Sequence, residues 1–188
     1  MSSDDALSRA EARVDPETGT FRLISWSEVV DFVSSGSLDR LTRSPTQLRE
    51  YQEWKRGTLA RFGSIERFIL EERLEWSRPI TAVGREPCSD RRDWKCLRND
   101  FPYAMESEVS HLVVWSKVPF ETSHTGELTD HGKAVLEHFL YATLFHDVER
   151  DRIVYFLNPP GLKSIAGLEH FHVLLRGVDT SKYVTSQK

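Results

Sequence analysis

Two histidines set two residues apart in an apolar run, within Leu168-Glu169-His170-Phe171-His172-Val173-Leu174-Leu175-Arg176, are the residues of this chain best spaced to do chemistry together. The spacing is that of a strand. Side chains alternate between the two faces of a strand, so Leu168, His170, His172, Leu174 and Arg176 share one face and Phe171, Val173 and Leu175 the other. Two imidazoles that look the same way and titrate near neutrality can act as a proton-transfer pair, as a nucleophile with its base, or as part of a metal site. The competing reading is a pair of core histidines bonded to backbone or water.

The elements that must hold such a pair follow from patterning. Residues 1–20 carry charges, serines and an Asp15-Pro16 break, and read as a loose N-terminal arm. Residues 21–188 read as a single α+β domain, with a helical block over 21–78 and a sheet-rich region over 79–180. Ser25 and Glu28 have capping-box spacing ahead of a helix carrying Val29, Val30, Phe32 and Val33. Ser44, Pro45 and Gln47 open a second helix through Leu48, Tyr51, Trp54, Lys55 and Leu59, which Gly63 breaks. Ser64 opens a third, with Ile65, Phe68, Ile69 and Leu74, ending at Arg78-Pro79. Beyond it the pattern predicts strands at Ile80–Val83, Val109–Lys117, Ile153–Leu157 and Glu169–Leu175, and a helix over 129–147 capped by Thr129. The expected architecture is an antiparallel sheet packed on one face by helices. His131, His138 and His146 ride on the last helix and His124 lies in the loop before it, so all four read as surface or boundary residues.

Composition bounds the class. With 188 residues, 39% hydrophobic and 11% aromatic, the chain can bury one core. It has no apolar run long enough for a membrane span, and its polar, acidic start is unlike a signal sequence, so a cytoplasmic protein with no membrane partner is expected. Cys88 and Cys96 lack the short spacing of a zinc ribbon or a redox motif and read as reduced thiols. A net charge of -4 argues against a nonspecific nucleic-acid coat. Local basic groups remain: Arg40, Arg43, Arg49, Lys55, Arg56, Arg61 and Arg67 lie along and around the second helix, interleaved with Tyr51 and Trp54, and Arg91, Arg92, Lys95 and Arg98 form a second group. Glu50, Glu53 and Glu66 suit a solvated helix face, and the alternative is a phosphate-binding surface for RNA.

Three stretches read together carry a resemblance. Asn99-Asp100-Phe101-Pro102-Tyr103 leads into His111-Leu112-Val113-Val114-Trp115-Ser116-Lys117, and Asn158-Pro159-Pro160 and Gly167 precede His170-Phe171-His172. That order resembles the histidine-triad superfamily, in which an Asn-x-Phe-Pro-like segment, a His-initiated strand and an Asn- and Gly-bearing loop lead to His-x-His-x-His. His170 falls on the middle, nucleophilic histidine and His172 on the third, while Leu168 stands where the first would be. The whole chain is also similar to a fungal family catalogued as a domain of unknown function and named for N-acetylglucosamine-induced proteins. Its signatures here are Leu97 to Tyr103, His111 to Lys117, and Asn158-Pro159-Pro160 followed by Glu169 to Val173. This group is similar in turn to the fungal arginine-containing cyclodipeptide synthases, which join two aminoacyl-tRNAs in secondary metabolism.

The resemblance implies a histidine-triad-like antiparallel sheet and an aminoacyl-tRNA-dependent cyclodipeptide synthase, partnered by arginyl-tRNA and a second charged tRNA. No metal, ATP or other cofactor is needed, because the ester carries the activation energy. His170, His172 and His111 are then the catalytic candidates. Asp100, Glu106 or Glu108 can pair with an arginyl guanidinium, and Tyr103 and Trp115 can stack on a base or a guanidinium plane. Asn99 and Asn158 complete the substrate-binding set, and Arg49, Lys55 and Arg56 are the candidates for tRNA phosphates. Three other readings stay open: a histidine-triad-like phosphoramidate or aminoacyl-adenylate hydrolase, a noncatalytic sugar- or nucleotide-binding protein, and a metal site of His111, His170 and His172. The resemblance implies that the His111 and His170 strands lie in one antiparallel sheet, and a site there predicts a cavity lined by His170 and His172 with His111 or Tyr103 near its mouth.

Overall fold

Local capping sets the helical block. In the computed structural model, which describes residues 3–185 apart from Pro160, Ser164 and Ala166, Ser25 and Ser44 each accept the N–H three residues on, and Glu28 and Gln47 reach back to the cap amides. Helices α2 (Trp26–Ser34) and α3 (Pro45–Phe62) start there. Gly63, at φ +77°, ends α3 in the left-handed region that suits glycine. Ser64 caps the short α4 (Ile65–Phe68), which a wider turn over Ile69–Arg73 extends. The helical path stops at Leu74, short of the expected Arg78-Pro79, because Glu75 turns to φ +52°.

The four-stranded sheet has the order β1-β2-β4-β3, every pair antiparallel, with β1 at Trp94–Arg98, β2 at Val109–Ser116, β3 at Ile153–Phe156 and β4 at Glu169–Arg176. The His111 and His170 strands are therefore direct neighbours, as expected. The first strand is not the expected one. Ile80–Val83 forms no ladder, because the buried Asp93 carboxylate accepts the N–H groups of Val83 and Gly84, both at 2.7 Å, and fixes that segment as a loop. Trp94–Arg98 takes the edge instead, paired from Trp94↔Ser116 to Arg98↔Leu112.

Helices cover both faces of this sheet, a correction to the one-sided packing expected. The reason is visible in the burial: all of β2 after its first two residues and all of β4 between its end residues are buried, so neither face can be left to water. On one face Leu112, Val114, Phe171, Val173 and Leu175 pack with Leu136, Phe139, Leu140 and Leu144 from α5 (Asp130–His138) and the turn that continues it. On the other, Leu97, Val113, Trp115 and Leu168 meet Ile69, Leu70 and Leu74, and Leu174 and Phe156 meet Trp26, Val29 and Phe32.

The N-terminal arm is not loose either. Ser3–Glu11 forms α1, with Ala10 fully buried and Arg9 3.5 Å from Asp39, and a bridge pairs Val14 with Phe21. Arg13 donates to both oxygens of Glu28, which ties the segment to the cap of α2. Long-range anchors of this kind leave no mark on local apolar periodicity.

Candidate active site

The histidine-bearing face of β4 looks toward the helical block, and the register decides which side chains meet. Trp115 lies opposite His170 and Val113 opposite His172, so His111 sits diagonally from His172. All three imidazoles are buried. His111 Nε2 and His172 Nδ1 are 2.9 Å apart, and the Asn158 amide nitrogen is 3.0 Å from His172 Nε2. With the Asn158 amide donating, His172 carries its proton on Nδ1 and donates it to His111. The Asn99 amide nitrogen lies beside the His111 ring, 3.2 Å from Nε2 and 3.4 Å from Nδ1. Both ring nitrogens of His172 are thus engaged.

His170 differs. Its Nδ1 lies 2.8 Å from the Leu168 carbonyl, which only a ring N–H can satisfy, so the proton sits on Nδ1 and Nε2 keeps its lone pair. The ring stacks on Trp115 at 4.6 Å, which fixes its plane, as Phe156 does for His172 and Tyr103 for His111. Burial pushes all three below the ordinary histidine range: His111 to about 3, with the Arg43 charge adding to the effect, His172 well below, and His170 less. At neutral pH the cluster is uncharged, and His170 offers a free imidazole nitrogen among the described residues.

His170 lines a cavity of about 510 Å³ between the sheet and the helical block, together with His172, Tyr103, Trp115, Asn99, Asp100 and Asn158. The expected cavity is present, with Tyr103 rather than His111 on its wall. Apolar surface comes from Leu97, Val113, Leu48, Ile69 and Ile165, and an aromatic side from Tyr51, Trp54 and Phe101. Arg9, Arg43, Lys55, Arg73, Arg98 and Lys163 also line it, against only Asp39 and Asp100 among the described acids. The cavity is a cationic site with a neutral imidazole at its floor.

The other candidates divide. Asp100 is in place, but Arg73 already holds it at 2.6 Å. Asn99 turns the chain by accepting the Phe101 N–H at 2.9 Å. Glu106 is not at the site: its carboxylate accepts the Trp26 N–H at the start of α2, where an acid suits the helix N-terminus. Glu108 is exposed, does not line the cavity, and contributes its carbonyl to Gly177 N–H. Lys55 stands on the wall, whereas Arg49 bonds Thr46 and Arg56 approaches Glu53 at 3.9 Å on the exposed side of α3. Among the described residues no three His, Cys, Asp or Glu side chains come together as a metal site, and His111 and His172 point their nitrogens at each other. His124, His131, His138 and His146 lie outside the cavity wall. Patterning gives no signal for Arg73 and Lys163 as site residues, and places Arg43 only within a broad basic group. Arg43 stands just before the Ser44 cap, and its partner, the Phe101 carbonyl, is 58 residues on.

Comparison with known proteins places the chain. The family described as protein of unknown function (DUF3605) matches residues 25–176, the span from the α2 cap to the end of β4. The chain belongs to this family. Among DUF3605 relatives, N-acetylglucosamine-induced protein 1 of Candida albicans is 27% identical over 175 residues, covering 82% of this chain and 69% of that protein. An uncharacterized protein of Saccharomyces cerevisiae is 31% identical over 156 residues, covering 80% and 77%. The crystal structure of HTC1 superposes with a TM-score of 0.68 at 28% identity, covering 85% of this chain and 88% of that one.

Proposed function

We propose that this DUF3605 chain is an acyl-transfer enzyme that condenses two aminoacyl-tRNAs, one of them arginyl-tRNA, into a cyclic dipeptide. The observation that carries the reading is His170: a neutral imidazole on the wall of a cationic cavity, its Nδ1–H spent on the Leu168 carbonyl and its Nε2 unbonded among the described residues. The volume is in the range of small-molecule sites, and the basic wall suits a polyanionic substrate. The arginine and tRNA assignments are supported by the resemblance of the Asn99–Tyr103, His111–Lys117 and Glu169–Val173 signatures to the cyclodipeptide synthases. The strand order around His170, with Leu168 in place of a first histidine, is the basis for the more distant histidine-triad likeness.

In this mechanism the α-amine of one ester attacks the carbonyl carbon of the other. His170 Nε2 takes the amine proton as the C–N bond forms and returns it to the ribose oxygen as the C–O bond breaks. The same step within the dipeptidyl ester closes the ring. Two esters give one cyclic dipeptide and two free tRNA hydroxyl ends, so no oxidant or nucleoside triphosphate enters. His172 and His111, bonded to each other, with Asn158 on His172 and Asn99 beside His111, fix the cluster next to His170 rather than react. Tyr103, Trp115 and Asn99 shape it, and Asp100 can take the arginyl group only by exchanging Arg73.

Expression in a heterologous host and profiling of the extract for cyclic dipeptides tests this. An arginine-containing cyclic dipeptide that disappears with His170→Ala is the expected result. Absence of any such product, with release of adenylate from phosphoramidates by the purified protein, would replace the synthase with the hydrolase.

A further inference from the structure

Arg43 is a partly buried cation on the cavity wall whose counter-charge is missing from the described protein. Its Nε and Nη2 both donate to the Phe101 carbonyl, at 3.0 and 2.7 Å, and its guanidinium lies over the rings of Tyr51, at 4.4 Å, and Tyr103, at 5.5 Å. No described carboxylate pairs with it. The two acids of the cavity are committed elsewhere, Asp39 to Arg9 and Asp100 to Arg73. Burial works against the charge, and one carbonyl dipole and two aromatic faces offset only part of that cost. A guanidinium held rigid in such a place matches a tetrahedral oxyanion, to which its remaining N–H groups can donate. Beside it stand Tyr51, Trp54 and Phe101, with ring centroids 5.3 Å apart for Tyr51–Phe101 and 4.8 Å for Trp54–Phe101.

We infer that Arg43 holds the phosphate of a nucleotide whose base lies along the Tyr51, Trp54 and Phe101 wall. The inference deepens the reading of the cavity as an aminoacyl-tRNA site, since the 3′-terminal nucleotide is the part of that substrate small enough to enter. Arg43 is then a positioning residue: it sets where the nucleotide sits relative to His170 and takes no part in bond making.

The test uses the purified full chain and unacylated probes, so it is independent of dipeptide synthesis. AMP and adenosine are titrated by calorimetry against wild type, Arg43→Gln and Arg43→Lys, with circular dichroism to confirm folding. Wild type should bind AMP about 10- to 100-fold more tightly than adenosine, the range of one charge-assisted hydrogen-bonded contact. Arg43→Gln should erase that preference and Arg43→Lys should keep part of it. Inorganic phosphate should displace AMP, and acetate should not. Equal binding of AMP and adenosine by wild type, no binding of either, displacement by acetate, or a folded Arg43→Gln that keeps the preference overturns the inference. Should Arg43→Gln fail to fold for want of its Phe101 bonds, the wild-type ratio and Arg43→Lys decide. A preference for AMP without any cyclic dipeptide would remove the synthase and leave Arg43 its role, and synthesis without that preference does the reverse.

Discussion

Lowering the pH from 7 to 5 should strip stability from this fold through its buried histidines, and His111 sets the size of the loss. The native protein keeps His111 neutral down to about pH 3, because burial and the Arg43 charge oppose its protonation. The unfolded chain takes up the same proton near the ordinary value of 6.5. Between those values the unfolded state binds more protons, so stability is full above about pH 6.5 and is lost as the pH falls toward 3. The slope for one such group approaches 1.4 kcal/mol per pH unit, and by pH 5 the loss is about 2 kcal/mol. His172 is shifted the same way by burial and by His111, and it steepens the slope. A domain of this size has only about 5–15 kcal/mol to lose. Urea unfolding at pH 7, 6 and 5, followed by tryptophan fluorescence, reads the effect. The window stops at pH 5 because Glu28, pushed up by burial but pulled further down to about 2 by Arg13, begins to contribute below the ordinary carboxylate value of 4.5. His111→Asn should be less stable at pH 7, where it loses the bond to His172, yet flatter with pH by about 1 kcal/mol per unit. A wild type equally stable at pH 7 and 5, or a His111→Asn variant with the wild-type slope, would refute the neutral buried cluster.

Other substitutions separate site from scaffold. Glu106→Ala should leave turnover intact and lower stability by about 1 kcal/mol, as loss of a helix N-terminal acceptor does, and Glu108→Ala should change neither, by parallel kinetics and urea unfolding. Asp100→Ala should weaken selection of arginine over other amino acids with a smaller effect on the rate, read from product ratios with mixed charged tRNAs. Gly132→Ala places a Cβ on the Glu121 carbonyl, so it should destabilise by about 1–3 kcal/mol despite alanine's better helix propensity, as urea unfolding will show. If Arg49, Lys55 and Arg56 meet tRNA phosphates, turnover should fall steeply with added salt, and the triple alanine variant should lose much of that dependence.

The features legible in the sequence were those encoded locally. Period-two alternation placed His170 and His172 on one face of β4, and the serine caps placed α2 and α3 to the residue. The edge strand is hidden because its less buried positions carry Lys95 and Arg98, while the more strand-like Ile80–Val83 has its last amide, with that of Gly84, bound to Asp93. The same limit applies at the site. Strand parity predicts that the two histidines face one way, but not that His172 is consumed by His111 and Asn158 while His170 keeps a free nitrogen. That division depends on contacts across 61 and 14 residues. Charge alone recommends Glu106 and Glu108, and the turn before β2 carries them away from the cavity.

In the proposed mechanism His170 Nε2 moves the proton in aminoacyl transfer. The most direct measurement is cyclic dipeptide formation by the purified protein from charged tRNAs, comparing wild type with His170→Gln, with and without ribonuclease. Wild type should make an arginine-containing cyclic dipeptide only while the tRNA is intact. The folded glutamine variant should be slower by about 10²–10⁴-fold, since an amide neither takes a proton at neutral pH nor returns one. Synthesis at the wild-type rate by His170→Gln, or product that persists after ribonuclease treatment, would contradict the account.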